Sequence, residues 1–322
     1  MKIKPKTIYN SKYDIRFLGI EKLHPFDSCK YSKTWEQLIA EFGSQILKQI
    51  TIQPQKPASQ KELLPVHSNY YLNLLKSSQY VAQALELPPL ALVPNWIQNQ
   101  FVLTPMLWAT KGTIIAAEEA LKNGIAINLS GGYHHASQEK GEGFCIYSDI
   151  AIAIALLRQY NKIKKGEKII IIDLDAHQGN GLERIFHNDP DILIFDMYNQ
   201  DIYPQDTWAR ERINYDLPLH LGTQDKEYLS LLTENLPSFL NQGSEAKIAF
   251  YNAGTDIYEL DPLGGLKVSE EGVLERDKFV FQNLINSNIP LAMVLSGGYT
   301  QQSYQLIANS ISYLLHQCLI NS

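Results

Sequence analysis

A run of apolar residues beginning at Ile169 ends in three polar residues at alternating positions, Asp173, Asp175 and His177, before glycines interrupt the chain. In a β-strand, residues two apart point to the same side. The spacing predicts that three polar side chains leave one face of a buried strand where it ends. Burying two carboxylates and an imidazole is costly unless a bound cation compensates them. The alternative is a strand-end turn with a helix cap, but a cap needs only one such side chain.

Asp256 follows a separate apolar segment and completes a candidate metal set with Asp175 and His177. Three protein ligands leave positions free for water and substrate, as in catalytic zinc sites. Taken alone, Asp256 is equally typical of a turn. Asp173 and Asn180 are candidates to orient imidazoles by hydrogen bonding, with strand-end capping as the competing interpretation.

Two further groups follow glycine pairs. The adjacent histidines His134 and His135 come after Gly131-Gly132, where imidazoles suit acid and base work near neutral pH. Tyr299 comes after Gly297-Gly298, where its hydroxyl could donate a hydrogen bond to a developing oxyanion. The alternatives are structural hydrogen bonding for the histidines and ordinary packing for the tyrosine, one of 18 in the chain.

The elements that must position these groups are buried strands alternating with helices. Continuous apolar runs favour a parallel sheet covered on both faces, and the alternation indicates an α/β fold. The predicted strands are Ile125–Leu129, Ile169–Leu174, Ile192–Phe195, Ile248–Tyr251 and Leu291–Leu295. The predicted helices are Ile114–Lys122, Ile150–Tyr160, Lys226–Leu240, Glu271–Ile285 and Gln301–Leu315. Every polar cluster falls after a strand, which predicts one site at the carboxyl edge of the sheet. The first ~110 residues are less regular, and Thr51–Gln60 is expected to be an exposed loop.

Composition excludes several classes of protein. With 322 residues, 45% of them hydrophobic, the chain can bury a substantial core. Its net charge of −6 does not indicate a surface that binds nucleic acid. Three cysteines without a CxxC pair indicate a reducing compartment. No apolar run reaches the ~18 residues of a membrane span, and the basic N-terminus lacks the apolar core of a signal peptide. We therefore expect a cytoplasmic protein, with export as a bacterial effector as an alternative.

Together the motifs resemble the zinc-dependent histone deacetylase family, most closely its class IV branch. The resemblance covers nearly the whole chain, and the matching motifs occur in the family's order. They are Gly131-Gly132-Tyr133-His134-His135, Gly143-Phe144-Cys145, the run from Asp173 to Gly181, Asn252-Ala253-Gly254-Thr255-Asp256 and Ser296-Gly297-Gly298-Tyr299. The segment 17–27 also looks like class IV.

The resemblance implies the arginase–deacetylase fold, a mainly parallel eight-stranded sheet flanked by helices on both faces, in a single catalytic domain over residues 1–322. It implies one catalytic Zn²⁺ and a structural K⁺ or Na⁺ near Asp173. The substrate would be an acylated lysine in a protein or peptide. By position, Asp175, His177 and Asp256 would bind zinc, His134 and His135 would be the catalytic histidines, Tyr299 would hold the oxyanion, and Asp173 would support His134. Positions matching the acyl-lysine tunnel are Gly143, Phe144, Tyr203 and Leu263.

Two departures from the family pattern bear on function. Asn180 stands where many members have aspartate, and an amide cannot raise imidazole basicity as a carboxylate does. The division of acid and base roles between His134 and His135 is therefore open. Leu263-Gly264-Gly265 replaces bulkier tunnel residues, and small residues there are expected to leave volume beside the metal. Class IV enzymes are associated with long fatty acyl groups, so the resemblance suggests removal of acetyl or fatty acyl groups from lysine.

Three other functions compete with lysine deacylation. A two-manganese hydrolase of the arginase type needs a second carboxylate two residues after His177, but that residue is Gly179. An acetylpolyamine amidohydrolase would share the chemistry and differ mainly in its entrance. A non-catalytic acyl-lysine binding protein is expected to have lost a ligand, histidine or tyrosine, and every one of them is present in the sequence.

Overall fold

The computed structural model describes residues 3–16 and 26–320. The segment 17–27 that resembles class IV enzymes therefore lies mostly outside the described residues, and the assignment based on it stays a prediction.

Eight strands form one parallel sheet in the order β2-β1-β3-β8-β7-β4-β5-β6. The strands are β1 Lys6–Ile8, β2 Thr51–Ile52, β3 Ile125–Asn128, β4 Ile169–Asp173, β5 Ile192–Asn199, β6 Tyr215–Leu219, β7 Ala249–Asn252 and β8 Leu291–Val294. The five strands predicted from apolar runs are β3, β4, β5, β7 and β8. The predicted α/β fold with a mainly parallel eight-stranded sheet is confirmed.

Helices pack on both faces of this sheet. They are α1 Lys30–Phe42, α2 Ser44–Ile50, α3 Gln60–Leu63, α4 Asn69–Leu74, α5 Ser78–Ala84, α6 Asn95–Gln98, α7 Thr104–Asn123, α8 Asp149–Gln159, α9 Asn180–Ile185, α10 Thr207–Arg210, α11 Asp225–Gln242, α12 Glu270–Asn286 and α13 Ser303–Ile320. The five predicted helices correspond to α7, α8, α11, α12 and α13. Within the described residues, no helix has both the length and the apolar character needed to cross a bilayer.

The alternation of side chains along β4 shows why its sequence is continuously apolar. Ile170 and Ile172 belong to the hydrophobic core on one face, while Ile169 and Ile171 belong to the core on the other. All four side chains are fully buried. A strand covered on both faces must be apolar at every position, so a polar residue at its end marks the exit from the core.

The described part of the first 110 residues is more regular than the sequence indicates. Thr51–Ile52 is an edge strand rather than loop, and within the predicted loop Pro54 and Ala58 are buried. Only part of that segment, including Gln53 and Lys56, is exposed as predicted. Strands of two or three residues are too short to show a hydrophobic period, and they form because a neighbouring strand completes their hydrogen bonds.

Arg276 on α12 connects the loops that follow β4 and β7. Its guanidinium is fully buried, and Nη1 donates to the carbonyl oxygens of Leu174 at 3.1 Å and Gly254 at 2.5 Å. Nε donates to Asp277 Oδ1 at 2.8 Å, which compensates the buried charge. One side chain therefore binds the backbones of the two loops that carry Asp175 and Asp256.

We expect Arg276→Met to lower the free energy of unfolding by about 3–5 kcal/mol, because the buried Asp277 carboxylate loses its cationic partner and two buried carbonyls lose a donor. Urea denaturation followed by circular dichroism measures the change. Lys278→Met, on the same helix but partly exposed, is the matched control and should shift stability by no more than about 0.5 kcal/mol. Equal losses in the two variants would contradict this role for Arg276.

Candidate metal centre and active site

Four neighbouring strands bring the candidate residues together. In the sheet order β3, β8, β7 and β4 are adjacent, and because all are parallel their carboxyl ends share one edge. The loop after β3 carries the two histidines, the loop after β8 carries Tyr299, and the loop after β7 carries Asp256. Asp175 and His177 follow β4. The sequence prediction that these clusters meet at one edge of the sheet agrees with the structure.

Asp175, His177 and Asp256 form a buried group whose ligand atoms lie within 4.8 Å of one another. His177 Nδ1 is 3.1 Å from Asp175 Oδ1 and 3.0 Å from Asp256 Oδ2. Backbone amides orient both carboxylates: Gly297 N–H donates to Asp175 Oδ2 at 2.8 Å, and Ala176 N–H donates to Asp256 Oδ1 at 2.9 Å.

Two glycines allow this close approach. A Cβ added at Gly254 would overlap the Asp175 carboxylate, and one added at Gly297 would overlap the carboxylates of both Asp175 and Asp256. The glycines in the motifs after β7 and β8 are therefore required by packing around the group.

The group is rich in negative charge and suits a cation. Burial lowers the pKa of His177, but its hydrogen bonds to Asp175 and Asp256 outweigh burial and raise the pKa to about 10. Burial and the charge of Asp175 raise the pKa of Asp256 to about 7. One imidazole nitrogen and two carboxylates are ligands that Zn²⁺ accepts, and three ligands leave a position open. The residues present therefore fit a zinc ion.

The adjacent histidines contact different partners. His134 Nδ1 lies 2.9 Å from Asp173 Oδ2, and His135 Nδ1 lies 2.7 Å from Asn180 Oδ1. Burial lowers the pKa of both imidazoles, but the Asp173 carboxylate raises that of His134 to about 9. Burial and the neighbouring imidazoles keep the pKa of His135 well below its ordinary value. The pKa values of the two imidazoles are thereby shifted in opposite directions, upward for His134 and downward for His135.

Tyr299 faces this group from the loop after β8. Its ring centroid is 6.1 Å from that of His177 and 5.8 Å from that of Phe144, and its backbone N–H donates to Asp261 Oδ2 at 2.7 Å. Burial, followed by the charges of Asp256 and Asp175, raises the pKa of the hydroxyl well above its ordinary value. The side chain therefore stays protonated and able to donate a hydrogen bond.

One cavity connects these groups. Its polar wall includes His134, His135, Asp175 and Tyr299. The cavity also has an apolar wall, which comes from one segment that begins after α5 and extends into α7. The side chains that it contributes are Leu85, Leu87, Leu90, Val102 and Met106.

A family model described as "Histone deacetylase domain" matches residues 24–315. The chain belongs to the histone deacetylase family. It is 44% identical to "Histone deacetylase 2" of Arabidopsis thaliana, over 99% of this chain and 81% of that one. It is 28% identical to a "Probable deacetylase" of Archaeoglobus fulgidus, over 86% of this chain and 77% of that one.

A solved structure has the same fold. The "Crystal Structure of HDA15 HD domain" superposes with a TM-score of 0.75 over 98% of this chain and 90% of the other, at 18% identity. The histone deacetylase fold expected from the motifs is therefore present, and the family supports a deacetylase.

Gly143 and Phe144 line the cavity, and their place in an acyl-lysine tunnel stays a prediction. Both have positive φ, +53° and +66°, in a tight turn closed by hydrogen bonds between the backbones of Glu142 and Cys145 at 2.9 and 3.1 Å. Turns of this type require positive φ at both central residues, which is unusual for phenylalanine. The conformation sets the Phe144 ring against that of Tyr299.

The other tunnel candidates lie apart from the cavity wall. Tyr203 stands beside it, with its ring 5.1 Å from that of His135 and 41% of the residue exposed. Leu263-Gly264-Gly265 is not among the residues that line the cavity. A Cβ at Gly264 would overlap the carbonyl of Asp256, so this glycine permits close packing of two loops. The three residues do not border this cavity, and the prediction that they leave volume beside the metal stays a prediction.

Sequence reasoning missed Lys30, which supports the Tyr299 loop. Lys30 is fully buried on α1, and Nζ donates to the carbonyls of Ser296 at 2.7 Å and Gly297 at 2.9 Å. Its ammonium also lies 4.5 Å from the ring centroid of Phe26, and burial lowers its pKa to about 8. A lone lysine in an amphipathic helix gives no sequence signal for this contact.

Two buried carboxylates near Asp173 were also missed. Gly179 N–H donates to Asp196 Oδ2 at 2.8 Å, and Gln178 Nε2 donates to Glu183 Oε2 at 2.6 Å. Burial and like charges raise the pKa of Glu183 to about 7 and that of Asp196 well above its ordinary value. Asp196 interrupts the apolar run of β5, a signal that could have identified it. The K⁺ or Na⁺ expected near Asp173 stays a prediction.

We expect Asp175→Ala to abolish metal binding, because a carboxylate of the three-residue group is removed. Wild-type protein dialysed against Zn²⁺ should retain about one ion per chain and the variant almost none, as measured by mass spectrometry of the metal. Asp201→Ala, which removes an exposed carboxylate elsewhere, is the control. Unchanged zinc content in Asp175→Ala would exclude Asp175 as a ligand.

Proposed function

We propose that this protein is a zinc-dependent lysine deacylase. The observation that carries the proposal is the cavity lined by His134, His135 and Tyr299 together with Asp175, which belongs to the candidate cation-binding group. An acylated lysine side chain in a protein or peptide is the substrate that such a cavity fits, since it is a neutral amide with an apolar end.

Zinc, held by Asp175, His177 and Asp256, would supply Lewis-acid polarisation and lower the pKa of water to about 7. A single ion is favoured over the two-manganese arrangement. A Cβ at Gly179 would lie 2.7 Å from Asp173 Oδ2, so a second carboxylate there would have to displace that of Asp173.

The chain's own residues divide the proton transfers. His135 is neutral, and its contact with Asn180 Oδ1 places the proton on Nδ1, so Nε2 can accept a proton from water. His134, kept charged by Asp173, is suited to stabilise negative charge and to protonate the leaving amine. Tyr299 donates to the amide oxygen as negative charge develops on it. This assignment makes His135 the principal base.

The acyl group we propose is a long fatty chain. The support is the apolar wall formed by Leu85, Leu87, Leu90, Val102 and Met106, which continues from the catalytic residues. An acetyl group would leave much of this wall in contact with water, whereas an alkyl chain gains about 0.8 kcal/mol per buried methylene. In this proposal the space for the acyl chain lies beside this apolar wall, and not beside Gly264 and Gly265, where the sequence predicted it.

We also propose the class IV branch, on the resemblance of segment 17–27, and a single catalytic domain over residues 1–322. Support for one domain comes from the sheet, in which β1 pairs with β3 and β3 pairs with β8, and from packing of α1 against α13. The chain has three cysteines and no CxxC pair, which supports a cytoplasmic location.

Tyr299→Phe should lower kcat on an acylated lysine peptide by about 100–1,000-fold, because one donor to the oxyanion is lost. Zinc content should not change, since Tyr299 is not among the ligands. Turnover is measured by peptide mass spectrometry with matched metal loading. Activity equal to wild type would remove Tyr299 from the mechanism.

The proposed acyl preference is tested with one lysine peptide carrying either acetyl or myristoyl. Myristoyl should be preferred by wild type, and Val102→Phe should reduce its kcat/KM by at least about tenfold more than that of acetyl, by filling the apolar wall. Ile97→Phe lies in the same segment but outside the lining, and should keep the wild-type ratio. Preference for acetyl would refute the fatty-acyl assignment. If neither peptide is hydrolysed, acetylpolyamines are tested next, and absence of turnover there leaves only acyl-lysine binding.

A further inference from the structure

The amide at position 180 presents a problem that an aspartate would not. A carboxylate only accepts hydrogen bonds, so it fixes the proton of its histidine partner on the facing nitrogen. An amide has an accepting oxygen and a donating NH₂ group, and the end that faces His135 decides the tautomer of the imidazole. With NH₂ toward Nδ1, the proton would move to Nε2, and His135 could no longer accept a proton there.

Glu142 resolves this ambiguity. Asn180 Oδ1 lies 2.7 Å from His135 Nδ1, and on its other side Asn180 Nδ2 donates to Glu142 Oε1 at 3.3 Å. Rotating the amide by half a turn would bring Oδ1 against the Glu142 carboxylate and replace an attraction by a repulsion. Because the Glu142 carboxylate can only accept hydrogen bonds, it holds the NH₂ group of Asn180 on its own side. The accepting oxygen, Oδ1, then faces His135 Nδ1.

Glu142 is itself firmly held. Its side chain is only 14% exposed, and its carboxylate forms ion pairs with Arg184 through Oε1 and with Lys140 through Oε2. Arg184 lies one turn after Asn180 on α9, so both side chains reach Glu142 from the same helix face. Arg184 also pairs with Asp206 at 2.5 Å, which anchors the guanidinium.

The backbone of Glu142 is fixed as well. It forms the first position of the tight turn that ends at Cys145, and the central residues of that turn are Gly143 and Phe144. The same turn thus carries one wall of the cavity and the carboxylate that faces Asn180.

We propose that Glu142 is a positioning residue that orients the Asn180 amide and thereby fixes His135 in the tautomer with its proton on Nδ1. Glu142 and Asn180 together replace the single aspartate that many histone deacetylases have at position 180. The inference rests on the proposed function in giving His135 the role of base, but the tautomer itself can be measured without turnover.

The direct test is nitrogen NMR of the full chain labelled with ¹⁵N-histidine, with and without Zn²⁺ and with His135 assigned by substitution. Wild type should have the proton on Nδ1, and Glu142→Ala should shift the equilibrium toward Nε2. Lys140→Ala is the matched control, because it removes only the exposed partner of the other carboxylate oxygen and should leave the tautomer unchanged. Glu142→Gln keeps the size of the side chain and should give a smaller shift in the same direction.

A double substitution distinguishes two roles of Glu142, orientation of the Asn180 amide and structural support of the turn from Glu142 to Cys145. Asn180→Asp alone should reduce activity, because it sets two carboxylates beside each other at the present 3.3 Å contact. In the Glu142→Ala background, the same Asn180→Asp change should restore activity, because a carboxylate at position 180 needs no orienting partner. A purely structural role for Glu142 does not produce this reversal of sign.

The kinetic expectation is a fall in kcat of about 10–100-fold for Glu142→Ala, the range typical of residues that orient catalytic histidines, with KM little changed. An unchanged His135 tautomer in Glu142→Ala, or no rescue by Asn180→Asp, would overturn the inference. If the tautomer responds as expected but no acyl-lysine peptide is hydrolysed, the positioning role stands and the proposed function fails. If wild-type protein is active and the tautomer does not respond, only the positioning role fails.

Discussion

Two buried carboxylates converging on one imidazole are the constraint on which the rest of this structure depends. Asp175 and Asp256 approach His177 from different strands, and without compensating charge their burial would be strongly unfavourable. The surrounding chain is built to hold them there. Glycines after β7 and β8 admit the carboxylates, backbone amides orient them, and the buried cations of Arg276 and Lys30 fix the loops from outside.

The inner strands could be predicted from sequence because burial on both faces leaves only apolar residues, as in Ile169–Ile172. The shorter strands could not. β1 and β2 have three and two residues, and β6 is a half-buried edge strand containing Pro218. Their pairing depends on neighbours distant in sequence, so no local pattern indicates them.

Within the site, residues at strand ends were predicted because the signal is local: a polar side chain follows directly on a buried strand. Arg276, Lys30 and Glu142 gave no such signal, since each acts on a loop far from it along the chain. Gly264 shows a different difficulty. A glycine can either leave open space or let two backbones approach closely. The neighbouring Asp256 carbonyl shows that Gly264 allows close approach, and the sequence alone does not reveal this neighbour.

The strand order has a consequence for how the protein folds. β3 lies between β1 and β8, so the loop bearing His134 meets the loop bearing Tyr299 only after about half of the chain has been placed between them. Pairings at such sequence separation form late, because their loop-closure entropy is compensated only when the sheet closes. The candidate metal group depends on a shorter separation, since Asp256 lies 79 residues after His177 and β4 and β7 are neighbours in the sheet. This group can therefore form before the histidine pair and Tyr299 join it, and the complete site is assembled only when β3 and β8 pair.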